Sequence, residues 1–169
     1  MTVWKNVIRV AVLFAVTMAL AGWHGALAGQ FLPTSGLVVY VFDGDTLKVE
    51  SGGRSFKVRV LGIDTPEVGG PYTRIEPFGR MASDRTKALA LGKRVRLEYG
   101  SKRYKDRFGR LLAYVTLPDG RDLGRLLITE GLAEAFRSTR YGRKKLYHQL
   151  EAQARKARLG IWSKPRKRR

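Results

Sequence analysis

Two short acidic clusters lie close together in a chain that is otherwise strongly basic. The first is Asp43-Gly44-Asp45-Thr46 and the second is Asp64-Thr65-Pro66-Glu67. Lys and Arg number 33 whereas Asp and Glu number only 14, which gives a formal net charge of +19 at pH 7. Carboxylate oxygens are ligands that hard cations such as Ca²⁺ and Mg²⁺ prefer. The pattern therefore indicates a cation bound at a surface that attracts phosphate and other anions.

The chain composition excludes other kinds of metal site. There is no cysteine, and the two histidines are His24, near the N-terminus, and His148. Zinc and copper sites rely on Cys and His ligands, so the sequence argues against both metals. Asp45 and Asp64 are the carboxylates expected to meet, because closure of a barrel would bring the first and third predicted strands together. Each acidic cluster alone also fits an ordinary turn or helix cap.

Two arginines are placed to contact a phosphate beside such a cation. Arg59 stands five positions before Asp64 on the third predicted strand, and Arg110 begins the fifth strand. A guanidinium group can donate two parallel hydrogen bonds to a phosphodiester. We expect most of the remaining Lys and Arg side chains to be solvated surface charges.

The elements that must position these residues follow from hydrophobic periodicity. Alternating apolar and polar residues predict strands at 46–50, 55–63 and 94–99, and runs rich in β-branched, aromatic and other apolar residues predict two more at 37–42 and 111–117. A change to helical spacing predicts three helices, at 78–91, 122–130 and 144–159. A helix between the third and fourth strands is the order of an OB-type barrel. The predicted fold class is α+β, a five-stranded OB-type β-barrel with three helices.

Two of the helices are predicted from residues at helical spacing. For the first helix these residues are Met81, Arg85, Ala88 and Leu89, and for the last they are Leu146, Leu150, Ala154 and Ala157. His148 is expected to be a surface or helix-packing residue, and Trp162 a core or anchoring aromatic.

The two ends of the chain differ in composition from its middle. Residues 1–28 combine basic residues, an apolar run and the small residues Ala26-Leu27-Ala28, which is the pattern of a cleaved secretory signal peptide. An uncleaved membrane anchor is the alternative, because the apolar run approaches the ~18 residues that a membrane span needs. Residues 164–169 are a basic run that predicts a disordered tail. Residues 29–163 are expected to form one domain, held together without disulfides.

Further motifs follow the acidic clusters in a fixed order. They are Asp106-Arg107-Phe108-Gly109-Arg110, Glu130-Gly131-Leu132-Ala133, Glu151-Ala152-Gln153-Ala154-Arg155-Lys156 and Leu159-Gly160-Ile161-Trp162-Ser163. Together, over residues 36–163, these motifs resemble the staphylococcal nuclease (thermonuclease) family. An ordered set of this kind is far more specific than any single short motif.

The resemblance implies a metal site and its ligands. Asp45 and Asp64 match the carboxylates that bind Ca²⁺ in the family, and Thr65 would contribute its backbone carbonyl. The implied cofactor is therefore Ca²⁺, which agrees with the oxygen donors found from the residues alone.

The resemblance also implies a catalytic set and a reaction. Glu67 matches the general base that takes a proton from the attacking water. Arg59 and Arg110 match the arginines that hold the phosphate and stabilise charge in the transition state. The implied substrates are DNA and RNA, cleaved with little sequence preference to leave 3′-phosphate ends.

The substrate-binding residues depart from the family pattern. Arg107 and Phe108 fall in the nucleotide pocket, where Phe108 replaces a tyrosine and could stack without a hydroxyl contact. Arg137 occupies the position of a base-stacking tyrosine, and Tyr141 or Phe136 would take over that role. These departures affect the expected affinity and base preference and leave the catalytic set intact.

Two other classes of protein share part of the pattern. A non-catalytic OB-type module would bind nucleic acid through backbone charge and stacking, but it gains nothing from carboxylates that face its ligand. A basic envelope-associated structural protein would explain the charge and the leader but not the motif order. The sequence thus favours an exported nuclease, periplasmic or secreted, that acts as a monomer without an obligatory protein partner.

Overall fold

The protein is described by a computed structural model that covers residues 32–70, 74–100 and 104–163. The signal peptide predicted at residues 1–28 and the basic tail predicted at residues 164–169 lie outside these residues. Within the described residues, none of the helices has the length and apolar character required to cross a membrane.

Five strands form a closed barrel, in the order β1-β2-β3-β6-β5. The strands within the described residues are β1 (Ser35–Val41), β2 (Thr46–Ser51), β3 (Arg54–Val60), β4 (Ile63–Asp64), β5 (Arg94–Glu98), β6 (Leu111–Thr116) and β7 (Glu134–Ala135). The strands β3 and β6 pair in parallel, and this pairing closes a barrel whose other neighbours are antiparallel. The predicted five-stranded OB-type barrel is confirmed.

In the part of the chain that the structure describes, three α-helices accompany the barrel, as predicted for an α+β protein. They are α1 (Gly79–Ala90), α2 (Leu123–Thr129) and α3 (Lys144–Lys156), and a 3₁₀ helix follows at Gly160–Trp162. The carboxylate of Asp122 accepts a hydrogen bond from the Arg125 amide and so caps α2. Helix α3 ends earlier than predicted because Arg158 adopts a left-handed conformation, with φ of 54°.

The prediction of one continuous third strand was wrong. Strand β3 ends at Val60, and Gly62 has a φ of 87°, in the left-handed region that favours glycine. The chain then forms β4, which pairs with β7 instead of continuing the barrel; Asp64 lies opposite Glu134. Asp64 is therefore carried by a separate two-stranded sheet, whose position also depends on the segment before α3.

Apolar side chains from the strands fill the barrel, and Leu47, Val49, Val58 and Ala113 have no exposed surface. Each fully buried Val or Leu side chain contributes about 1.5–3 kcal/mol relative to an exposed one. Outward residues of the same strands stay in contact with solvent, so the alternation predicted for β3 holds at Val58 and Val60.

Not all of the residues at helical spacing in α1 and α3 face the protein. Met81 of α1 is 55% exposed, whereas the small residues Ala82, Ser83 and Thr86 face the protein. In α3 the buried aromatic is Tyr147, and Leu146 is exposed. Small side chains let α1 approach the barrel closely, and apolar periodicity alone did not identify that face.

Candidate active site

The turn between β1 and β2 holds the first acidic cluster in a fixed conformation. Oδ1 of Asp43 accepts a hydrogen bond of 3.0 Å from the Asp45 amide. The Thr86 hydroxyl of α1 donates to the Gly44 carbonyl over 2.6 Å. A Cβ atom at Gly44 would lie 2.8 Å from the Ala82 Cβ, so the close approach to α1 requires glycine there. Burial raises the pKa of Asp43, and the Arg59 charge opposes that rise.

Asp45 is buried, with 3% of its surface exposed, and both of its carboxylate oxygens accept hydrogen bonds. Oδ1 accepts one from the Thr46 hydroxyl over 3.0 Å, and Oδ2 accepts one from the Thr65 amide over 2.8 Å. The guanidinium of Arg59 also contacts Oδ2. These contacts fix the orientation of the Asp45 carboxylate.

Arg59 connects the two acidic clusters. Its Nη1 contacts Asp45, and its Nη2 donates to Oδ1 of Asp64 over 2.6 Å. Burial lowers the pKa of Arg59, whereas the carboxylates of Asp64 and Asp43 act to raise it. Because one guanidinium contacts both carboxylates, Asp45 and Asp64 lie within its span, although Asp45 is in the β1–β2 turn and Asp64 is in β4. The Asp64 side chain is exposed and can face an incoming ligand.

Glu67 lies in the loop that follows β4. Its amide donates to the Glu76 carboxylate over 3.2 Å, and its carbonyl accepts from the Glu76 amide over 2.9 Å. A Cβ atom at Gly79 would lie 2.2 Å from the Glu67 carbonyl oxygen, so the start of α1 packs directly on this loop. Burial and the neighbouring Asp43 raise the pKa of Glu67, although Arg59 opposes them. A raised pKa improves a carboxylate as a proton acceptor.

Arg110 is oriented by an acidic residue that the sequence analysis did not single out. Its Nε donates to Oδ2 of Asp106 over 2.6 Å. Oδ1 of Asp106 accepts the amides of Phe108 and Arg110, each over 2.9 Å. The spacing of four residues between Asp106 and Arg110 is the signal that could have predicted this pair.

Arg59 and Arg110 line one cleft, which has a volume of about 410 Å³. Arg107 and Tyr141 line the same cleft, as does Arg140, which the sequence analysis missed. The cleft therefore concentrates guanidinium groups on the side of the barrel where the acidic clusters meet. Such a surface can bind a phosphodiester through charge-assisted hydrogen bonds.

Phe108 lies in the β5–β6 connection, with 68% of its surface exposed. The guanidinium carbon of Arg107 is 4.7 Å from the centre of its ring, and that of Arg110 is 5.4 Å away. An exposed ring held between two guanidinium groups can stack with a nucleobase while the arginines contact phosphate.

The two residues predicted in the segment before α3 have different surroundings. Arg137 does not line the cleft, and its Nη2 donates to the buried carboxylate of Glu151 over 2.8 Å. Tyr141 lines the cleft but is largely buried, and its hydroxyl donates to the Phe136 carbonyl over 2.9 Å. Its ring packs on Gly62, where a Cβ atom would lie 2.6 Å from the ring. Burial raises the pKa of Tyr141 to about 12.

The residues predicted to hold a cation are Asp45, Asp64 and the carbonyl of Thr65, and the first two are both contacted by Arg59. In the part of the chain that the structure describes, no three His, Cys, Asp or Glu side chains are grouped as a metal site. A carboxylate has about four lone-pair positions, so Asp45 keeps acceptor capacity beyond its present partners. An all-oxygen donor set with two carboxylates fits a hard cation that retains waters or binds phosphate.

Comparison with known proteins adds independent information on this chain. Residues 57–164, more than half of the chain, match a family described as "Staphylococcal nuclease homologue". The chain is 43% identical over 128 residues to the thermonuclease of Staphylococcus hyicus, an alignment that covers 75% of this chain and 74% of the relative. It is 41% identical over 129 residues to the thermonuclease of Staphylococcus intermedius, covering 76% of each. It is 32% identical over 128 residues to an uncharacterized endonuclease of Escherichia coli, and this alignment also covers 76% of each chain.

Proposed function

The chain belongs to the staphylococcal nuclease family and is a nuclease, and we propose that it is a calcium-dependent enzyme that hydrolyses DNA and RNA with little sequence preference. The observation that carries the proposal is the position of Arg59. Its guanidinium contacts carboxylates from both acidic clusters and lines the cleft that Arg110 also lines.

In this proposal Asp45, Asp64 and the Thr65 carbonyl hold the cation. A Ca²⁺ ion held by these residues would supply positive charge that could polarise a phosphate oxygen. The Thr65 amide and the Thr46 hydroxyl keep the Asp45 carboxylate in place before any ligand arrives. Ligands that are fixed in advance lower the cost of ordering the site.

Glu67 accepts a proton from the water that attacks phosphorus. The environment that raises its pKa makes it a stronger base than an ordinary glutamate. The oxygen of water forms a new bond to phosphorus, and the bond from phosphorus to the 5′ oxygen breaks. The 5′ oxygen takes up a proton from solvent, which leaves a 5′-hydroxyl and a 3′-phosphate.

Arg59 and Arg110 donate hydrogen bonds to the non-bridging oxygens of the phosphate. The negative charge on these oxygens is redistributed in the transition state. Guanidinium groups that are already held in place stabilise this charge without having to reorient. Asp106 supports this role because it orients Arg110 through Nε and leaves the terminal nitrogens of the guanidinium for phosphate. Arg59 reaches the phosphate by exchanging carboxylate contacts for phosphate oxygens.

The proposal is tested by assaying hydrolysis of single-stranded DNA and of RNA in Ca²⁺ and in chelator. We expect cleavage only with Ca²⁺, and a turnover that falls by about 10²–10⁴-fold in Glu67→Gln. The charge-matched control is Asp119→Asn, since Asp119 is an exposed residue paired with Arg121. Products that a polymerase extends only after phosphatase treatment carry 3′-phosphates. Absence of cleavage in Ca²⁺, or full activity of Glu67→Gln, would contradict the mechanism.

We also propose that the enzyme is exported and acts as a monomer. The support for export is the leader pattern at residues 1–28, with cleavage after Ala28. Determining the N-terminus of the protein recovered from the periplasm or the medium tests it, since an intact leader would instead indicate a membrane anchor. Light scattering of the purified protein checks the monomeric state.

A further inference from the structure

A second exposed surface lies on the outside of the barrel, next to the candidate active site. Tyr40 of β1 and Phe42, which follows β1, are 54% and 39% exposed. Their rings form an edge-to-face pair with centroids 4.9 Å apart. Lys48 of β2 and Lys57 of β3 flank them, and we call these four residues the aromatic-basic face. Tyr40, Phe42 and Lys48 line a cleft of about 430 Å³.

The two lysines of this face lie where their like charges destabilise the sheet. Lys48 lies directly opposite Tyr40 on one side and directly opposite Lys57 on the other. Like charges directly opposite each other destabilise a sheet. Lys57 also places its Nζ 4.2 Å from the centre of the Phe42 ring. The carboxylate at the border of the cleft is Glu50, so the face keeps a positive balance and suits an anionic ligand.

The aromatic-basic face is continuous with the catalytic residues. Lys57 and Arg59 are two positions apart on β3 and therefore point to the same side, about 6.6 Å apart along the strand. Their partners on β2 are Lys48 and Thr46. Phe42 directly precedes the turn that carries Asp45. A nucleic-acid strand bound at Arg59 would therefore lie beside the aromatic-basic face, which begins at Lys57, two residues away on β3.

We propose that the aromatic-basic face binds the single-stranded stretch of the substrate next to the phosphate that is cleaved. A nucleobase stacks on the Tyr40 ring, and Lys48 and Lys57 contact the backbone phosphates. Aromatic rings with interleaved basic residues bind single strands in this way, because every base has a face that can stack. In a duplex those faces are covered by neighbouring bases, so the face favours single strands over duplexes. The inference rests on the proposed nuclease function and names its substrate form.

The stacking contact is tested by fluorescence anisotropy in chelator, where no hydrolysis is expected. The probe is a labelled single-stranded DNA of about twelve nucleotides. We expect Tyr40→Ala to weaken binding about fivefold or more and Tyr40→Trp to restore it. The control is Leu146→Ala, an exposed residue of α3 that should bind like the unaltered protein. Unchanged binding by Tyr40→Ala, or an equal loss for a duplex of the same length, overturns the inference.

The phosphate contact is tested by the salt dependence of the same binding. We expect Lys57→Gln to reduce the slope of log affinity against log salt by about 0.7, the change for one phosphate on a single strand. The matched control is Lys145→Gln, since Lys145 is an exposed lysine of α3. Equal slopes in the two variants overturn the contact. This second test does not use Tyr40→Ala, so it remains valid even if that variant fails to fold.

Substrates of different length separate this inference from the nuclease function. Tyr40→Ala should lower kcat/KM on the longer strand by a larger factor than on a dinucleotide, because a dinucleotide has no backbone beyond the two nucleotides that flank the cleaved phosphate. An equal loss on both substrates would show that Tyr40 shapes the catalytic site, which overturns the inference. If the unaltered protein hydrolyses neither substrate, the proposed nuclease function is refuted. The binding experiments would still test whether the aromatic-basic face binds single strands.

Discussion

The amide of Thr65 donates a 2.8 Å hydrogen bond to Oδ2 of Asp45, which lies twenty positions earlier in the chain. The bond joins the β1–β2 turn to the segment that follows β4, and so it joins the two acidic clusters. Because Asp45 is buried, this contact is shielded from competing water. The relative position of the proposed cation ligands is therefore set by the fold.

The first prediction concerns this carboxylate. Replacement of Asp45 by Asn keeps an acceptor for the Thr65 amide but removes the negative charge, so we expect Ca²⁺ affinity to fall at least about tenfold. Calorimetric titration of the protein with Ca²⁺ measures the change. Asp119→Asn removes an exposed carboxylate and should bind Ca²⁺ normally. Normal affinity of Asp45→Asn would remove Asp45 from the metal site.

The second prediction separates turnover from affinity. Arg59→Ala and Arg110→Ala should each lower kcat by about 10²–10³-fold while KM changes only slightly, because the guanidinium groups act on charge in the transition state. Steady-state kinetics on single-stranded DNA gives both parameters. Arg121→Ala is the control, since Arg121 pairs with Asp119 on the surface. Comparable losses in kcat and in affinity would indicate that these arginines bind the substrate uniformly.

The third prediction concerns the exposed ring of Phe108. We expect Phe108→Ala to raise KM about fivefold or more with kcat unchanged, since loss of base stacking affects bound substrate and transition state equally. Phe108→Trp should retain a low KM. Ile75→Ala removes another exposed apolar side chain and serves as the control. A drop in kcat for Phe108→Ala would mean instead that the ring positions Arg110.

The fourth prediction concerns Arg137, which the sequence placed among the substrate-binding residues. The buried Glu151 carboxylate accepts hydrogen bonds from Arg137 and Arg155 and lies 3.6 Å from His148. Arg137 itself is half exposed, so we expect Arg137→Ala to lower the free energy of unfolding by only about 0.5–1 kcal/mol. Urea unfolding measures this change. Weaker nucleic-acid binding at unchanged stability would instead support the role in substrate binding.

The barrel could be predicted from the sequence because some of its strands alternate, the others are rich in β-branched and apolar residues, and its turns carry Gly and Asp. The break after β3 was missed because Leu61 and Ile63 keep the segment apolar, although they fall in the register of Lys57 and Arg59, and because the interruption depends on the conformation of Gly62. For the same reason the pairing of Asp64 with β7 was not foreseen. Alternation reports which residues are buried, but it does not report which partner strand they pair with.

In the candidate site, too, some features could be predicted from the sequence and others could not. Short motifs identified Asp45, Arg59 and Arg110, because their types and order are specific. The contact between Asp45 and Thr65 depends on packing between distant segments, and the pairing of Arg137 with Glu151 depends on the fold of the segment before α3. Contacts of this kind are long-range, so they need the tertiary structure.

The last prediction concerns pH and rests on Asp106. Burial alone would raise the pKa of Asp106, but hydrogen bonds from the Arg110 side chain and from the Arg110 and Phe108 amides bring it below its usual value of 3.8. A carboxylate whose pKa is lower in the folded state binds fewer protons there than in the unfolded state. Its contribution to stability is therefore present above a pH of about 4 and is lost as the pH falls through the folded-state pKa.

We therefore expect Asp106→Asn to be less stable than the unaltered protein by about 1–2 kcal/mol near neutral pH, with a difference that shrinks below pH 4. Urea unfolding across this pH range in chelator measures the free energy of both proteins. Asp119→Asn is a suitable comparison, since Asp119 makes similar contacts with Arg121 but is exposed, so its loss should cost little. A stability difference for Asp106→Asn that stays constant down to low pH would show that the carboxylate charge is not responsible. In that case the loss would come from the second acceptor oxygen, because both carboxylate oxygens of Asp106 accept hydrogen bonds and asparagine has only one such oxygen.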